Sequence, residues 1–243
     1  REGDGVVLDF AGTDPQSPGS INYYLNENLY KMFFGIYMIM VFDPQILWND
    51  GFYPLVDVRI PEGTLLKPTY PAALSCRTHG LGRIFDILGG LLGQRQPEFL
   101  CAAGFSSSPH LMYSGYRADG EWFQLYQIGF GGIPGRPFGD GPDGHSLWPS
   151  FSNVPNEFLE SYFPLRIESY ETVPDSGGPG FFRGGLGIDV VYRFLEPGVI
   201  SIHDDRWFTY PWGVNGGEPG MRSRKWLERG DGSREMLPSK CDN

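Results

Sequence analysis

Asp175-Ser-Gly-Gly-Pro-Gly-Phe-Phe-Arg-Gly-Gly-Leu-Gly187 carries six glycines in thirteen residues, between two runs that read as strands, Leu165–Thr172 and Ile188–Phe194. Glycine at that density lets backbone adopt positive φ and approach another group closely, at an entropic cost that ordinary loops avoid. The stretch is therefore a special loop joining two strands, and it sets the second half of the chain as β-rich. Its chemistry has two readings. Successive N–H groups form a concave anion nest with Arg183 as a fixed positive charge beside it, or the glycines make a run of tight turns and nothing more.

Outward from this loop, Val199–His203 reads as a further strand. Upstream, Leu111–Tyr116 and Trp122–Ile128 flank the turn Ala118-Asp-Gly120 as a hairpin. Gly129–Phe151 is a long loop of Gly, Pro, Asp and aromatics, of a length that is usually functional or disordered inside a domain. A short helix follows near Pro155–Tyr162.

The N-terminal half differs. After a strand at Val6–Phe10 and a turn-rich Gly12–Gly19, Ser20 is placed to cap a helix over Ile21–Phe42, ended by Asp43-Pro44. Leu25, Leu29, Met32, Phe33 and Ile36 follow the helical period, and Phe34, Tyr37, Met38 and Val41 fill the other face, so its second half should be buried all round. Pro54–Ile60 reads as a strand. A second helix is expected over Arg77–Gln94, with Leu81, Ile84, Phe85, Leu88, Leu91 and Leu92 on one stripe. Gly89, Gly90 and Gly93 weaken that helix and imply close packing against another element. The expected fold is α+β: a β-rich mixed fold with two main helices in the N-terminal half and no clear internal boundary over 1–243.

The chain holds 35 glycines and 21 prolines, which would raise the question of disorder were aromatics not 15% of it. A formal net charge of −10 opposes binding to nucleic acid or an anionic membrane. The longest apolar run, Met32–Phe42, is 11 residues and too short to span a bilayer. Cys76, Cys101 and Cys241 are widely spaced without a CxxC, which fits a reducing, cytoplasmic setting.

Asp140-Gly-Pro-Asp-Gly-His-Ser146 gathers two carboxylates, an imidazole and a hydroxyl in seven residues of the long loop. These types shuttle protons or bind polar substrates, although Asp-Gly pairs also make ordinary turns. His203-Asp-Asp-Arg206 ends a strand and can hold a cation or anion, or pair internally as a local salt-bridge network. His79 and His110 read as ordinary polar residues. No phosphate loop, dinucleotide fingerprint, nucleophile elbow or HExxH is present, so the chain shows no nucleotide-binding motif of its own.

In order, these motifs resemble the hydantoinase B/oxoprolinase family. The resemblance is carried by Leu8-Asp-Phe-Ala-Gly-Thr-Asp-Pro-Gln16, by Asn49-Asp-Gly51 with Pro61-Glu-Gly-Thr-Leu-Leu66, and by Arg83-Ile-Phe-Asp-Ile-Leu88. Asp175–Gly180 with Phe182–Gly187, and Pro211-Trp-Gly213 with Gly216-Gly217, complete it. It implies a middle-to-C-terminal segment of a longer B-type subunit that works with a hydantoinase A-like, ATP-binding subunit on a cyclic amide or a ketone. It also implies a divalent metal, zinc or manganese, in the full subunit, with ATP-Mg on the partner. The family's metal motifs, similar to NDPYxGGTHxxD and HHxD, do not occur here, so no metal ligand is assigned. The chain also departs from amide-opening relatives at Cys76–Gly82, where many carry Asn-x-Glu-Thr, and at Gly144–Pro149, where they are Thr-rich.

The resulting expectation is a common pocket between the 129–151 loop and the glycine loop. His145, Asp143 and Arg183 are the catalytic candidates, the alternative being that Arg183 pairs with a local acid while His145 caps a turn. Asp140, Ser146, Asp175, Ser176, Gly177 and Gly178 are the substrate-binding candidates.

Overall fold

Val6–Asp9 forms strand β1 in a computed structural model that describes residues 5–41, 45, 47, 49–75, 77–105, 109–146 and 151–242. The chain forms two compact units, Arg1–Leu88 and Gly89–Asn243. The fold is α+β.

In the first unit, β1 is followed by helix α1 (Glu27–Val41) and strand β2 (Val56–Arg59). The two strands pair in parallel, Val6 opposite Val56 and Asp9 opposite Arg59, and a parallel pair needs a long crossover, which contains α1. Val56 and Val58 are buried while Asp57 and Arg59 are exposed, the period of two that a half-buried strand requires. In α1, none of residues 29–39 is exposed, as the two-faced apolar pattern predicts.

The helix starts later than Ile21. Asn22 is fully buried, and its amide donates to the carbonyls of Ser17, Gly19 and Ala73 while its Oδ1 accepts from Ser17 N. That knot holds 21–25 out of helix, and Asn26 becomes the cap, its Oδ1 accepting from Leu29 N at 3.0 Å. The strand expected from Pro54 likewise starts at Val56, because Asn49 caps a 3₁₀ turn over Asp50–Leu55.

Helix α2 (Arg77–Arg95) buries Leu81, Ile84, Phe85 and Leu88. Phe85 meets Phe33 edge-on and stacks on Tyr37 of α1. The stripe stops there: Leu91 is 56% exposed. Of the helix glycines, Gly93 lies against Leu100 as expected, whereas Gly90 faces open space. Phe42, Asp43, Pro44 and Cys76 lie outside the described residues.

The second unit contains β3 (His110–Tyr116), β4 (Trp122–Ile128), helix α3 (Asn156–Tyr162), β5 (Leu165–Thr172), β6 (Ile188–Phe194) and β7 (Gly198–His203). Three short strands follow: β8 (Trp226–Glu228), β9 (Arg234–Met236) and β10 (Lys240–Asp242). One antiparallel sheet has the order β10-β7-β3-β4, while β5-β6 and β8-β9 are separate antiparallel pairs. The core is Tyr113, Phe123, Leu125, Leu159, Leu165 and Ile200. Tyr113 packs its ring on Phe123 and Phe194, and its hydroxyl donates to the Glu196 carbonyl at 2.6 Å. Each such aromatic contributes on the order of 2–3 kcal/mol by leaving water. Among the described residues no helix is long and apolar enough to cross a membrane.

Candidate functional site

The second unit encloses an open cavity of about 1550 Å³. Its walls include residues 129–133 and 135–138 of the long loop, most of the glycine loop, and the segment 211–218.

The glycine loop closes on itself at its base. Val173 N donates to Gly187 O, Gly187 N donates to the Ser176 hydroxyl at 2.7 Å, and that hydroxyl donates to Val173 O. Asp175 turns the chain there at φ 56, a left-handed conformation that aspartate tolerates better than most residues. The two long loops then interlock through backbone. Gly141 N donates to Arg183 O, Gly144 N to Leu186 O, and Gly185 N to Ile133 O. Such contact leaves no room for side chains: a Cβ on Gly185 would collide with the Pro142 carbonyl, and one on Gly177 with that of Gly184.

Charge completes the joint. Arg183 grips Asp143 with both arms, Nη1 to Oδ1 and Nη2 to Oδ2. Asp143 Oδ1 also accepts from Leu186 N, and Asp140 Oδ1 accepts from Arg183 N. The Arg183 hydrogen bonds, then the Leu186 N–H, hold the Asp143 carboxyl below the usual carboxylate range. His145 is paired with Gly131 through backbone hydrogen bonds in both directions, next to buried Ser146. Its Nδ1 lies 2.7 Å from the Ser146 carbonyl, which can only accept, so Nδ1 carries the proton and Nε2 is the basic nitrogen of the neutral ring.

The structure thus brings the two predicted loops together and divides the candidates. Ser176, Gly177 and Gly178 line the cavity. Asp140, Asp143, Arg183, His145, Ser146 and Asp175 are not among its lining residues; the first three tie the loops to each other. Leu147–Pro149 lie outside the described residues.

Within the His203–Arg206 cluster, Arg206 N donates to the Asp205 carboxylate at 2.8 Å. Asp204 meets Lys225 at 3.2 Å and accepts from the Trp207 indole at 2.7 Å. Burial pushes the Asp204 carboxyl up against the opposing pull of Lys225, and burial pushes the Lys225 ammonium down against that of Asp204. Arg206, 2% exposed at φ 63, donates to the carbonyls of Gly104 and Tyr210 and lies over the Trp212 ring. Lys225 and Arg222, both on the cavity wall, are absent from the sequence-derived candidates. They sit in a segment with neither a motif nor a period, and only Pro211-Trp-Gly213 with Gly216-Gly217 nearby gave a signal.

Among the described residues no three His, Cys, Asp or Glu side chains converge to hold a metal ion. They do not fit the implied metal.

The family model for hydantoinase B/oxoprolinase matches residues 1–242. The B-type subunit of a putative D-/L-hydantoinase from Pseudomonas sp. (strain NS671) is 29% identical over 249 residues, covering 100% of this chain and 42% of that protein. An acetone carboxylase structure superposes with TM-score 0.77 at 21% identity, over 90% of this chain and 30% of the other. The ATP-dependent caprolactamase from Pseudomonas jessenii gives TM-score 0.75 at 22% identity, over 95% and 42%. The chain therefore spans less than half the length of these relatives. With the match running from the first strand through the glycine loop to β10, the chain belongs to the hydantoinase B/oxoprolinase family.

Proposed function

We propose that this chain is the substrate-facing part of a B-type subunit in an ATP-dependent cyclic amide hydrolase of the hydantoinase/5-oxoprolinase kind. The observation that carries the reading is the glycine loop of a hydantoinase B/oxoprolinase chain forming a wall of a large cavity. A reacting carbonyl needs donors where its oxygen becomes charged, and backbone N–H groups supply them without side-chain entropy. Among the described residues, the N–H groups of Gly177 and Gly178 donate to no protein acceptor.

In this reading ATP, bound as its magnesium complex on a hydantoinase A-like partner, phosphorylates the amide oxygen. Water attacks the activated carbon, and the ring opens with release of ADP and phosphate. Asp140, Asp143 and Arg183 position the loop, and Ser176 clasps its base. The divalent metal, zinc or manganese, would be held outside these residues, and no step here is routed through it.

The second reading is an ATP-dependent ketone carboxylase, favoured by the fold likeness to acetone carboxylase. A non-catalytic assembly subunit is the third. The full-length subunit, co-expressed with its A-type partner, separates them. ATP-dependent opening of hydantoin, 5-oxoproline or caprolactam is expected. Bicarbonate-dependent ATP turnover with acetone or acetophenone, and none with the amides, would replace the first reading with the second. Inertness in both assays would leave the third.

A further inference from the structure

We infer that Arg222 and Arg224 form an oxyanion-binding site on the wall of the second unit's cavity, taking a carboxylate or phosphoryl group. Arg222 lies with its guanidinium carbon 4.7 Å from the centre of the Tyr210 ring. Stacking on an aromatic face fixes the plane of a guanidinium and leaves its edge N–H groups unspent. The backbone on both sides is pinned: Met221 N donates to Ser176 O at 2.9 Å, and Ser223 N donates to Arg206 O at 3.1 Å. Arg222 is therefore held both at its backbone and at its tip.

Arg224 shares its side of the extended segment. Residues 222 and 224 are exposed while 223 and 225 turn inward, the inward Lys225 being spent on Asp204 and the Ser239 carbonyl. Among the described residues no carboxylate or other acceptor meets Arg222 or Arg224. This contrasts with other arginines on the same wall, since Arg193 pairs with Glu168, Arg229 with Glu235 and Arg234 with Glu228. In a chain of net charge −10, two adjacent arginines without counter-charge, one of them immobilised, are built for an external anion. The hydrogen bond from Met221 N to Ser176 O ties their extended segment to the base of the glycine loop.

Titration of the full-length subunit with inorganic phosphate, followed by isothermal calorimetry, tests this without any assay of turnover. Saturable binding is expected. It should weaken on the order of tenfold or more in Arg222→Ala and in Arg224→Ala, as loss of a charge-assisted bond implies. Arg222→Lys, which keeps the charge but loses the fork and the stack, should also weaken it, and guards against misfolding of the alanine variant. Arg166→Ala, exposed on β5 and not among the residues that line the cavity, should bind as the parent does. No saturable binding, or equal affinities in Arg222→Ala, Arg224→Ala and Arg166→Ala, overturns the site.

The choice between carboxylate and phosphoryl rests on the proposed hydrolase activity, and kinetics of the assembled complex decides it. A carboxylate site predicts that Arg222→Ala raises KM for 5-oxoproline but not for hydantoin, which has no carboxylate. A phosphoryl site predicts a fall in kcat on both. A complex inert towards both amides would remove the hydrolase reading while leaving the phosphate titration to stand or fall on its own.

Discussion

Arg183 holds Asp143 in a two-armed ion pair, at 2.7 Å and 3.1 Å, across 40 residues of sequence. The pair is half-exposed, so its own contribution is modest. Its importance is geometric, because the same carboxylate also takes Leu186 N and so sets the far end of the glycine loop.

A pH dependence follows from that carboxylate. Its native pKa is depressed, so the latch contributes fully above the ordinary carboxylate range, near pH 4. The contribution is lost as pH falls from there through the depressed native value. Hydrogen exchange of the amides of Leu186 and Gly185 should be unchanged between pH 7 and pH 5 after correction for intrinsic rates. It should accelerate below about pH 4. Asp143→Asn should bring that acceleration to neutral pH.

The glycines of α2 and of the loops make opposite predictions. Gly90 has open space at its Cβ position inside a helix, so Gly90→Ala should stabilise by about 0.5–1 kcal/mol. Gly93→Ala meets Leu100, including its Cα, and should destabilise by roughly 1–3 kcal/mol. Gly185→Ala should do at least as much, since the opposing atom is a backbone carbonyl that cannot rotate away. Thermal melts of the three variants in the full subunit give the comparison.

Asn22 predicts sensitivity to a nearly isosteric change. Its NH₂ group serves three carbonyls. Asn22→Asp removes those donors and places a negative charge among carbonyl oxygens, which should cost on the order of 3 kcal/mol or more. Asn22→Ala should fall in the same range, by leaving Ser17 N and the carbonyls unsatisfied. Chemical denaturation would register either loss as a shifted midpoint with unchanged slope.

Breaking one member of the Asp204–Lys225 pair should be costly, because both side chains are nearly buried, at 10% and 12% exposure. Lys225→Met leaves Asp204, among the described residues, with only the Trp207 indole and is expected to lose about 3 kcal/mol. Replacing both, as Asp204→Asn with Lys225→Met, should recover part of that loss. A double-mutant cycle measures the coupling.

Elements with a long period were legible in the sequence: α1 and α2, the β3–β4 hairpin, and the strands on either side of the glycine loop. The start of α1 was not, because Asn22 satisfies a carbonyl 51 residues away, which no local pattern carries. The three-residue strands β8 to β10 are too short to show alternation. The glycine loop's close backbone approach could be read from composition, whereas its positive φ falls on Asp175 and on none of its glycines. Which residues faced the cavity could not be read, since Asp143 and Arg183 have the chemistry of a site and meet each other instead. The division between the two units falls at Leu88–Gly89, inside a helix, where no linker composition marks it.

The pairing of β10 with β7 has a consequence for handling the protein. Three residues, Lys240–Asp242, supply the neighbour for one side of β7, whose other side is taken by β3. Displacing them from β7 would leave a row of backbone donors and acceptors on that strand open to the solvent. Such a bare strand is a template for another chain, so protein in which β10 has been displaced should self-associate through β7 before the fold itself gives way.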